Sequence, residues 1–454
     1  MRFRAVDVAA ATGGRVHGPD VEIDGVSFDS RALQPGQLFV PLVADRDGHE
    51  FIDAAFARGA AATLTSGPLP AGRTSIEVPD TLVALMRLAS VQRHDFHGQV
   101  IGITGSVGKT STKDLAWAAL AASRRTWANE RSFNNEQGLP TTILNAPPDT
   151  EVMVLEMGMR GHGEIGELCR IARPTIAVLT RVAEAHSDRV GGIDGVARAK
   201  GELVDSLSPN GLAILNHDDL RVRAMAKRSL ALVVFYGESH DAAVQVRIGE
   251  VHLDDIARPT FRLDTPWGST SVHLGVSGRH MVHNAAAALA AVAAAGGDLH
   301  AGAEALSDVG LTAMRMEIQR TPGGVTVLND AYNANPTSMR AALDALAALP
   351  ANRRIAVLGL MAEISDPEGE HRSMVEYARG HGIEVLVDGT DMYGLPVVEG
   401  PVAALAAMGS LAGGEAVLVK GSRVVGLERV AAALLLDAPV DGGDVAPPGQ
   451  EQRP

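Results

Sequence analysis

Residues 100–112 read VIGITGSVGKTST, and the order of residue types in this stretch predicts its local fold. The apolar run 100–103 is typical of a buried β-strand, and it stops at Thr104-Gly105. Gly108-Lys109-Thr110 then opens a helical pattern. A strand, a glycine-rich turn and a helix N-terminus in this order form an anion site, because backbone N–H groups converge there and the helix dipole adds positive potential. The spacing is a shorter variant of the P-loop, since the strict pattern needs Gly where Ile103 stands.

A polyphosphate is the natural ligand of such a turn. Lys109 adds a full positive charge, and the Thr110 hydroxyl is placed to bind the accompanying Mg²⁺. We therefore expect a phosphate site formed by Thr104, Gly105, Ser106, Val107, Gly108, Lys109, Thr110 and Ser111. The alternative is a glycine-rich turn that carries a solvated lysine.

Size and composition indicate a globular protein of several domains. The chain has 454 residues, of which 46% are hydrophobic, and a net charge of −14. That charge argues against a general nucleic-acid binder, whose affinity depends on neutralising phosphates. The single cysteine, Cys169, excludes an intrachain disulfide and fits a reducing cytoplasm. The polar N-terminus is not a signal peptide and no apolar stretch is long enough to cross a bilayer, so we expect a cytoplasmic protein without an integral membrane segment.

Alternating apolar and helical segments predict an α/β fold in three parts. Residues 1–98 are predicted to form a small α/β domain, with a helix at 5–12 and several short strands. Residues 99–314 are predicted to form a mostly parallel sheet with helices on both faces, including a strand at 212–216, and antiparallel strands near 245–274. Residues 315–437 restart the pattern as a second, doubly wound Rossmann-like domain. The tail 438–454 is rich in Gly, Pro and acidic residues and is predicted to be disordered.

Three side chains in the central part follow predicted strands or begin a helix near them, where ligands collect in open α/β sheets. Glu156 ends one strand and either holds Mg²⁺ opposite Thr110 or pairs with a surface base. His186 follows another strand end, as a metal ligand or as an ordinary histidine. Lys200 is either a surface cation or a buried amine of lowered pKa that reacts with CO₂ to form a carbamate, an additional anionic metal ligand.

Two further strand ends lie in the C-terminal part. Residues 329–336 read NDAYNANP, and these short amides and an acid suit contacts to a nucleotide ribose or phosphate. The same segment suits a turn that caps a helix beginning near Pro336, and both interpretations can hold together. Lys420-Gly421-Ser422-Arg423 follows another strand and can supply cations to a substrate carboxylate or phosphate.

Taken together, these segments resemble the Mur ligase family from roughly residue 20 to residue 430. The order of the motifs carries the resemblance: Asp29-Ser30-Arg31, Asp47-Gly48-His49, TGSVGKTST, Ser132-Phe133-Asn134-Asn135, Glu156-Met157-Gly158, Ala185-His186, Ala199-Lys200-Gly201-Glu202, Gly278-Arg279-His280 with Asn284, Asp330 with YNANP, Gly359 with Met361 and Glu363, and Lys420-Gly421-Ser422-Arg423. The resemblance implies three domains, which bind the UDP of a sugar substrate, ATP, and the incoming amine with part of ATP.

The resemblance also implies a role for each motif. Ser30 and Arg31 would lie at the UDP site, and Asn134 and Asn135 would face the muramoyl peptide. The catalytic residues would be Lys109, Glu156, His186 and Lys200, with Thr110, Glu156, His186 and carbamylated Lys200 as ligands of two Mg²⁺ ions. Asn284 would contact adenine. Because Met281 stands where many relatives have Asn, recognition of adenine would depend more on Asn284. Arg315 and Asp330 would reach the ribose and phosphates. The C-terminal substrate site would contain Tyr332, Asn333, Asn335, Lys420, Ser422 and Arg423.

The implied reaction is ATP-dependent and ADP-forming, and adds D-alanyl-D-alanine to UDP-N-acetylmuramoyl-tripeptide through an acyl phosphate, in peptidoglycan synthesis. We expect a monomer whose partners are these small molecules. Two other ligases of the family stay open, one that adds an amino acid to UDP-N-acetylmuramoyl-dipeptide and a folylpolyglutamate synthase. A protein of another class, a switch that hydrolyses ATP to change a partner, would need neither a UDP-sugar domain nor a free amine.

Overall fold

The structure is a computed structural model that describes residues 2–130, 133–184, 190–362 and 364–436. The chain divides into two compact units: the first runs to Thr312 and also includes Ile364 and Ser365, and the second comprises the other described residues from Ala313 onward. No helix in the described ranges is long and apolar enough to cross a membrane. The predicted tail 438–454 lies outside the described residues.

The first 98 residues form small sheets with three α-helices. The helices are α1 (Ala5–Thr12), α2 (Ile52–Ala57, after a 3₁₀ turn at Gly48–Phe51) and α3 (Thr81–Asp95). The strands are β1 (Arg2–Arg4), β2 (Arg15–His17), β3 (Glu22–Asp24), β4 (Val26–Ser27), β5 (Leu38–Phe39), β6 (Ala62–Thr65) and β7 (Ser75–Glu77). β1 pairs with β3, and the larger sheet has the order β2-β7-β6-β5-β4, in which β2 alone is antiparallel to its neighbour.

The central part of the first unit is one large sheet flanked by helices. Its strands are β8 (Gln99–Thr104), β9 (Thr126–Ala128), β10 (Val152–Glu156), β11 (Ile176–Leu179), β12 (Leu212–Asn216), β13 (Leu232–Gly237), β14 (Val244–Leu253), β15 (Pro259–Thr265) and β16 (Gly268–His273). Its helices are α4 (Lys109–Ala121), α5 (Gly138–Leu144), α6 (Glu164–Ala172), α7 (Gly192–Asp205), α8 (Leu220–Ala224), α9 (Met281–Ala294) and α10 (Leu299–Ala305), with a 3₁₀ turn at Met225–Arg228.

The strand order of this sheet is β16-β15-β14-β13-β12-β11-β8-β10-β9. The strands from β9 to β14 pair in parallel, and β14, β15 and β16 pair antiparallel, as predicted for residues 245–274. The carboxyl ends of β8, β10 and β11 therefore meet at one edge of the sheet. The predicted α/β fold class is confirmed.

The first 98 residues share their apolar core with the central sheet. Buried side chains of α3 belong to the same cluster as those of α5 and α6. Arg93 at the end of α3 donates to the carbonyls of Ala172 (2.6 Å) and Arg173 (2.8 Å). Cys169 packs in this core, and burial raises the pKa of its thiol to about 12, so it is an unreactive packing residue. The predicted boundary at residue 98 thus falls inside one compact unit, and the division into domains 1–98 and 99–314 stays a prediction.

The second unit is a sheet with its own core. Its strands are β17 (Glu317–Arg320), β18 (Thr326–Asn329), β19 (Arg353–Leu358), β20 (Glu384–Asp388), β21 (Val397–Val398) and β22 (Glu415–Lys420). The order is β17-β18-β22-β19-β20-β21, and only β17 is antiparallel. The helices are α11 (Pro336–Ala348), α12 (Pro367–Gly380), α13 (Gly400–Met408) and α14 (Glu428–Leu436), with a 3₁₀ turn at Arg423–Val425.

Candidate active site

The glycine-rich turn between β8 and α4 is packed tightly against its surroundings. A Cβ on Gly105 would lie 1.9 Å from the Thr180 hydroxyl oxygen. Gly108 precedes α4 in the left-handed region with φ +84°, and a Cβ there would lie 2.5 Å from the Asn284 amide oxygen. Ser106 makes two hydrogen bonds to the segment after β11: its backbone N–H donates to Arg181 O (2.6 Å), and its hydroxyl donates to Ala183 O (2.8 Å). Only glycine fits the two tight positions.

Lys109 is the first residue of α4 and folds back over the turn. Its Nζ donates to the Gly105 carbonyl at 2.8 Å, so the ammonium lies at the turn whose N–H groups were predicted to receive phosphate. Thr110 and Ser111 follow in the first helical turn, and both are buried. The structure thus places the predicted phosphate-binding residues on one strand–turn–helix segment.

Glu156 ends β10 opposite Ile103 of β8 and is buried. Its backbone N–H donates to Asn129 Oδ1 (2.6 Å), and its Oε1 accepts from Asn134 Nδ2 (2.6 Å). Its second oxygen, Oε2, is buried with no hydrogen-bond partner in the described part of the chain. A buried carboxylate oxygen without a donor is costly, and a divalent cation is the partner that would compensate it. The alternative of a surface ion pair does not hold.

Lys200 lies on α7 and is fully buried, so the surface-cation alternative is also excluded. Burial, and after it the nearby charge of Lys109, hold the pKa of the Lys200 amine well below its ordinary value, while Glu156 opposes this shift. The three side chains therefore share one electrostatic environment. A neutral amine is the form that reacts with CO₂, so the Lys200 environment fits the predicted carbamate.

The fourth predicted metal ligand, His186, lies outside the described residues. Across the ranges that are described, no group of three or more His, Cys, Asp and Glu side chains is arranged to hold a metal ion. The metal site predicted at this sheet edge accordingly depends on Glu156, Thr110 and Lys200.

Asn284, predicted to contact adenine, lies on the buried α9 beside the glycine-rich turn. Its Nδ2 donates to the sulfur of Met281 at 3.4 Å, so Met281 partners Asn284 within the same helix. The approach of its Oδ1 to Gly108 places Asn284 against the phosphate loop. Its contact with adenine stays a prediction.

The predicted UDP and peptide residues lie around two short loops of the first unit. Arg31 is exposed and forks onto Asp29, with Nε to Oδ1 at 3.0 Å and Nη2 to Oδ2 at 2.8 Å, and this contact lowers the pKa of Asp29. Ser30 stands between them, half-buried. Asn134 faces Glu156 as described, whereas Asn135 Oδ1 accepts from the N–H of Gly138, the first residue of α5 (2.9 Å). The structure therefore brings Asn134, and not the Asn135 side chain, to the Glu156 carboxylate.

The second unit gathers five of the predicted residues at the ends of β18 and β22. Lys420 is buried and forms an ion pair with Asp330, and its Nζ donates to Asn333 O (2.9 Å). Asp330 also accepts from Met316 N (3.1 Å), and the Arg315 guanidinium stacks over the Tyr332 ring, 4.2 Å from its centre.

Three other predicted residues of this unit make contacts within the protein. Asn335 is buried and caps α11 by accepting from Ser338 N (2.9 Å), which confirms the interpretation of this segment as a helix cap. Ser422 Oγ accepts from Ala362 N (3.0 Å), and Arg423 pairs with Glu428 (2.8 Å). The roles of these three residues toward a substrate stay predictions.

Two residues of the site were not predicted. Thr180 donates its hydroxyl to Val107 O (2.6 Å), and Asn129 receives the Glu156 N–H and donates to Phe133 O (2.6 Å). Thr180 directly follows β11, so the strand-end signal that pointed to Glu156 could have found it, whereas Asn129 follows β9, a strand that the sequence did not predict.

Comparisons with known proteins bear on both units. The Mur ligase middle domain matches residues 103–292, and the glutamate ligase domain of Mur ligases matches residues 314–423. The UDP-N-acetylmuramoyl-tripeptide–D-alanyl-D-alanine ligase of Mycobacterium tuberculosis is 38% identical over 91% of this chain and 92% of its own. The enzyme of that name from Escherichia coli is 34% identical over 93% and 96%.

Solved structures agree with the sequence relatives. MurF from Acinetobacter baumannii superposes with a TM-score of 0.87 at 28% identity, covering 96% of this chain and 99% of its own. The MurF ligase from Thermotoga maritima in complex with ADP gives 0.76 at 25% identity, over 91% and 97%. These matches confirm the predicted family on most of the chain length, and the chain belongs to the Mur ligase family.

Proposed function

We propose that this chain is an ATP-dependent, ADP-forming ligase that joins the amine of D-alanyl-D-alanine to the terminal carboxylate of UDP-N-acetylmuramoyl-tripeptide, a step of peptidoglycan precursor synthesis. The observation that carries the proposal is the match to ligases of that name over more than nine tenths of both chains. A diaminopimelate-adding Mur ligase and the folylpolyglutamate synthase of Mycobacterium tuberculosis are each 20% identical and share the fold. The relatives therefore support the predicted D-alanyl-D-alanine-adding enzyme over both alternatives within the family.

The first unit carries groups suited to activating a carboxylate. An amide does not form from a carboxylate and an amine in water, because the departing oxygen is a poor leaving group. Transfer of the γ-phosphoryl group of ATP to the carboxylate creates a better one, but both reactants are anionic. Lys109 and the N-terminus of α4 supply positive potential at the turn where the phosphates would lie.

The residues present at this sheet edge fit a magnesium site. Glu156 Oε2, the Thr110 hydroxyl and Lys200 as a carbamate would hold Mg²⁺, with His186 as a further predicted ligand and a second ion sharing these groups. Bound Mg²⁺ would neutralise charge on the transferring phosphoryl group. The unpartnered oxygen of Glu156 and the lowered pKa of Lys200 support this set.

The second unit carries groups suited to the nucleotide and the amine. The buried Asp330–Lys420 pair and the Arg315–Tyr332 stack fix side chains that would approach the ribose and phosphates. Asn333, Asn335, Ser422 and Arg423 remain proposed contacts of this site. We also propose that the protein is cytoplasmic, because its single cysteine, which is buried, fits a reducing compartment. We further propose that it acts as a monomer.

A ligation assay tests the function. UDP-N-acetylmuramoyl-tripeptide, ATP, Mg²⁺ and D-alanyl-D-alanine should give a product whose mass equals both substrates less water, with one ADP formed per product. Diaminopimelate with the dipeptide substrate, and glutamate with folate, should give none. Steady ATP hydrolysis without carboxylate or amine would instead favour the nucleotide switch.

The Lys109→Ala variant is the matched negative control for this assay. Loss of its charge should lower kcat by about 10³-fold, on the scale seen when a group that stabilises developing charge is removed. Its circular dichroism spectrum should match the unmodified protein, and Lys227→Ala, at an exposed lysine, should ligate normally. Near-normal ligation by Lys109→Ala would defeat the assignment of this turn.

A further inference from the structure

A buried ion pair lies on α4, one turn after the glycine-rich loop. Lys113 and Asp114 have side chains only 5% and 11% exposed, and Lys113 Nζ lies 2.7 Å from Asp114 Oδ1. Burying two charges costs more than their attraction returns unless their other donors and acceptors are satisfied. Such a pair is therefore a poor device for stability alone, and the groups that it holds are of interest.

Both partners bind backbone that is distant in sequence. Lys113 Nζ donates to the carbonyl of Asn129 (3.0 Å), the residue that follows β9. Asp114 Oδ2 accepts from both the backbone N–H (2.9 Å) and the hydroxyl (2.8 Å) of Thr312, the last residue of the first unit before the second begins. The pair thus fixes the position of Asn129 relative to the helix that begins at the phosphate loop.

Asn129 continues the connection to the metal-site carboxylate. Its Oδ1 accepts the backbone N–H of Glu156 (2.6 Å), and its Nδ2 donates to Phe133 O (2.6 Å). Phe133 directly precedes Asn134, whose Nδ2 donates to Glu156 Oε1 (2.6 Å). Asn129 therefore holds both the backbone of Glu156 and the loop that binds one of its two carboxylate oxygens. The other oxygen remains buried and without a partner in the described chain.

We propose that Lys113 and Asp114 are positioning residues for the divalent cation of the nucleotide. By fixing Asn129, they hold the Glu156 carboxylate in the orientation that presents Oε2 to the cation. This inference rests on the proposed function in one respect: it assumes that Glu156 binds a divalent cation that accompanies the nucleotide. Groups that orient a metal ligand contribute about 10- to 100-fold to metal affinity, which is large enough to measure.

The double variant Lys113→Met with Asp114→Asn separates positioning from stability. It removes both charges together, so no unpaired charge is left buried, and the new amide still offers an acceptor to Thr312. Mn²⁺ serves as the probe, titrated in the presence of ADP and followed by electron paramagnetic resonance. We expect Mn²⁺ affinity to fall about 10-fold or more, with the KM for D-alanyl-D-alanine unchanged.

Arg93→Met is the matched control. It removes a buried cation that donates to the backbone carbonyls of Phe96, Ala172 and Arg173 in the same unit, and none of these three residues belongs to the Asn129–Glu156 network. It should lower the thermal midpoint while leaving Mn²⁺ affinity within a factor of about two. If the double variant does not fold, Thr312→Val removes one donor to Asp114 and should weaken Mn²⁺ binding by a smaller but measurable factor.

Unchanged Mn²⁺ affinity in a folded double variant, or in Thr312→Val where that variant is used, would overturn the proposal. The same holds if Arg93→Met weakens Mn²⁺ binding as much as the double variant does. Mn²⁺ binding is read without ligation, so a protein that fails to ligate but shows the predicted loss of affinity would reject the ligase and keep this inference. Normal ligation by the unmodified protein with unchanged Mn²⁺ affinity in the variants rejects this inference alone.

Discussion

At the level of single residues, the candidate site places the Lys200 amine where its protonated form is unfavourable, next to a second lysine, Lys109. Two amines and one carboxylate lie in one buried region, where burial and the charge of Lys109 outweigh the attraction of Glu156 and disfavour the protonated Lys200 amine. Its lowered pKa favours the neutral form, which can react with CO₂ and become an anion. The conversion would exchange repulsion between two cations for attraction between Lys109 and a carbamate.

This environment makes Lys200 a cost to the stability of the fold. Because the folded pKa of Lys200 is depressed, the unfolded chain binds more protons between that pKa and the ordinary lysine value. Stability therefore rises with pH across that window and falls as the pH is lowered through it. In CO₂-free buffer, Lys200→Met should raise the thermal midpoint at neutral pH by about 2 °C or more, flatten its pH dependence and abolish ligation.

The control for this prediction is Lys227→Met at an exposed position, which should leave the midpoint unchanged. A Lys200→Met protein less stable than the unmodified chain at pH 7 would contradict the argument. Carbon-13 NMR with labelled bicarbonate adds a direct readout, since a carbamate resonance should be present in the unmodified protein and absent from Lys200→Met.

The sequence predicted which residues matter at this site better than it predicted their environment. Glu156 was identified because it ends an apolar strand, and that signal is local. Whether Lys200 is buried depends on how α7 packs on the sheet, which no local pattern specifies. Lys113 and Asp114 were not singled out from the sequence for the same reason, because their hydrogen bonds are to residues 129 and 312, distant along the chain.

At the level of elements, the glycine-rich turn offers a comparison within the chain. Gly108 and Gly163 both precede a helix with φ +84°, so a side chain strains the backbone equally at each. They differ in space, since a Cβ on Gly108 meets Asn284 at 2.5 Å whereas a Cβ on Gly163 meets nothing within 4 Å. Any difference between alanine variants therefore reports the contact of the phosphate loop with α9.

We expect Gly108→Ala to raise the KM for ATP about 10-fold, because the turn must shift away from Asn284 and its N–H groups then diverge from the phosphates. Gly163→Ala should lose a comparable amount of backbone stability and keep its KM for ATP. Isothermal titration with ADP and Mg²⁺ measures the same effect without turnover. Equal loss of nucleotide affinity in both variants would show that backbone strain, and not the contact, controls the turn.

Elements with a clear period or a strong cap were predicted well. Helix α1 has the predicted bounds 5–12, and Gly13, whose backbone is in the left-handed region, follows its last residue. Strand β12 matches the predicted strand at 212–216. Strands β1, β2, β7, β9, β17 and β21 were not predicted, because two to four residues carry too little alternation to separate a strand from a loop. Their pairing depends on partners such as β7 for β2 that lie far along the chain.

At the level of the whole molecule, the packing of residues 1–98 was beyond the reach of sequence patterns. The apolar face of α3 shows that the helix is buried, but not that α5 and α6 cover it. Asn145, directly after α5, also joins the first 98 residues to the central part, because its side chain accepts from Val26 N (2.7 Å) and donates to Val26 O (2.9 Å). The first 98 residues and the central sheet therefore share one large buried cluster, beside a smaller one around Phe39 and Ile52, and the second unit has a cluster of its own.

Separate cores predict two thermal transitions in scanning calorimetry. Asn145→Ala leaves the buried N–H and C=O of Val26 without partners, and should lower the midpoint of the first unit alone by about 2–4 °C. Asn335→Ala removes the cap of α11, and should lower the midpoint of the second unit alone by a comparable amount. ADP with Mg²⁺ should raise the transition that Asn145→Ala lowers, which assigns it to the unit with the phosphate loop. If Asn145→Ala instead splits that transition in two, residues 1–98 unfold independently of the central sheet, and the shared buried cluster does not make them one cooperative unit.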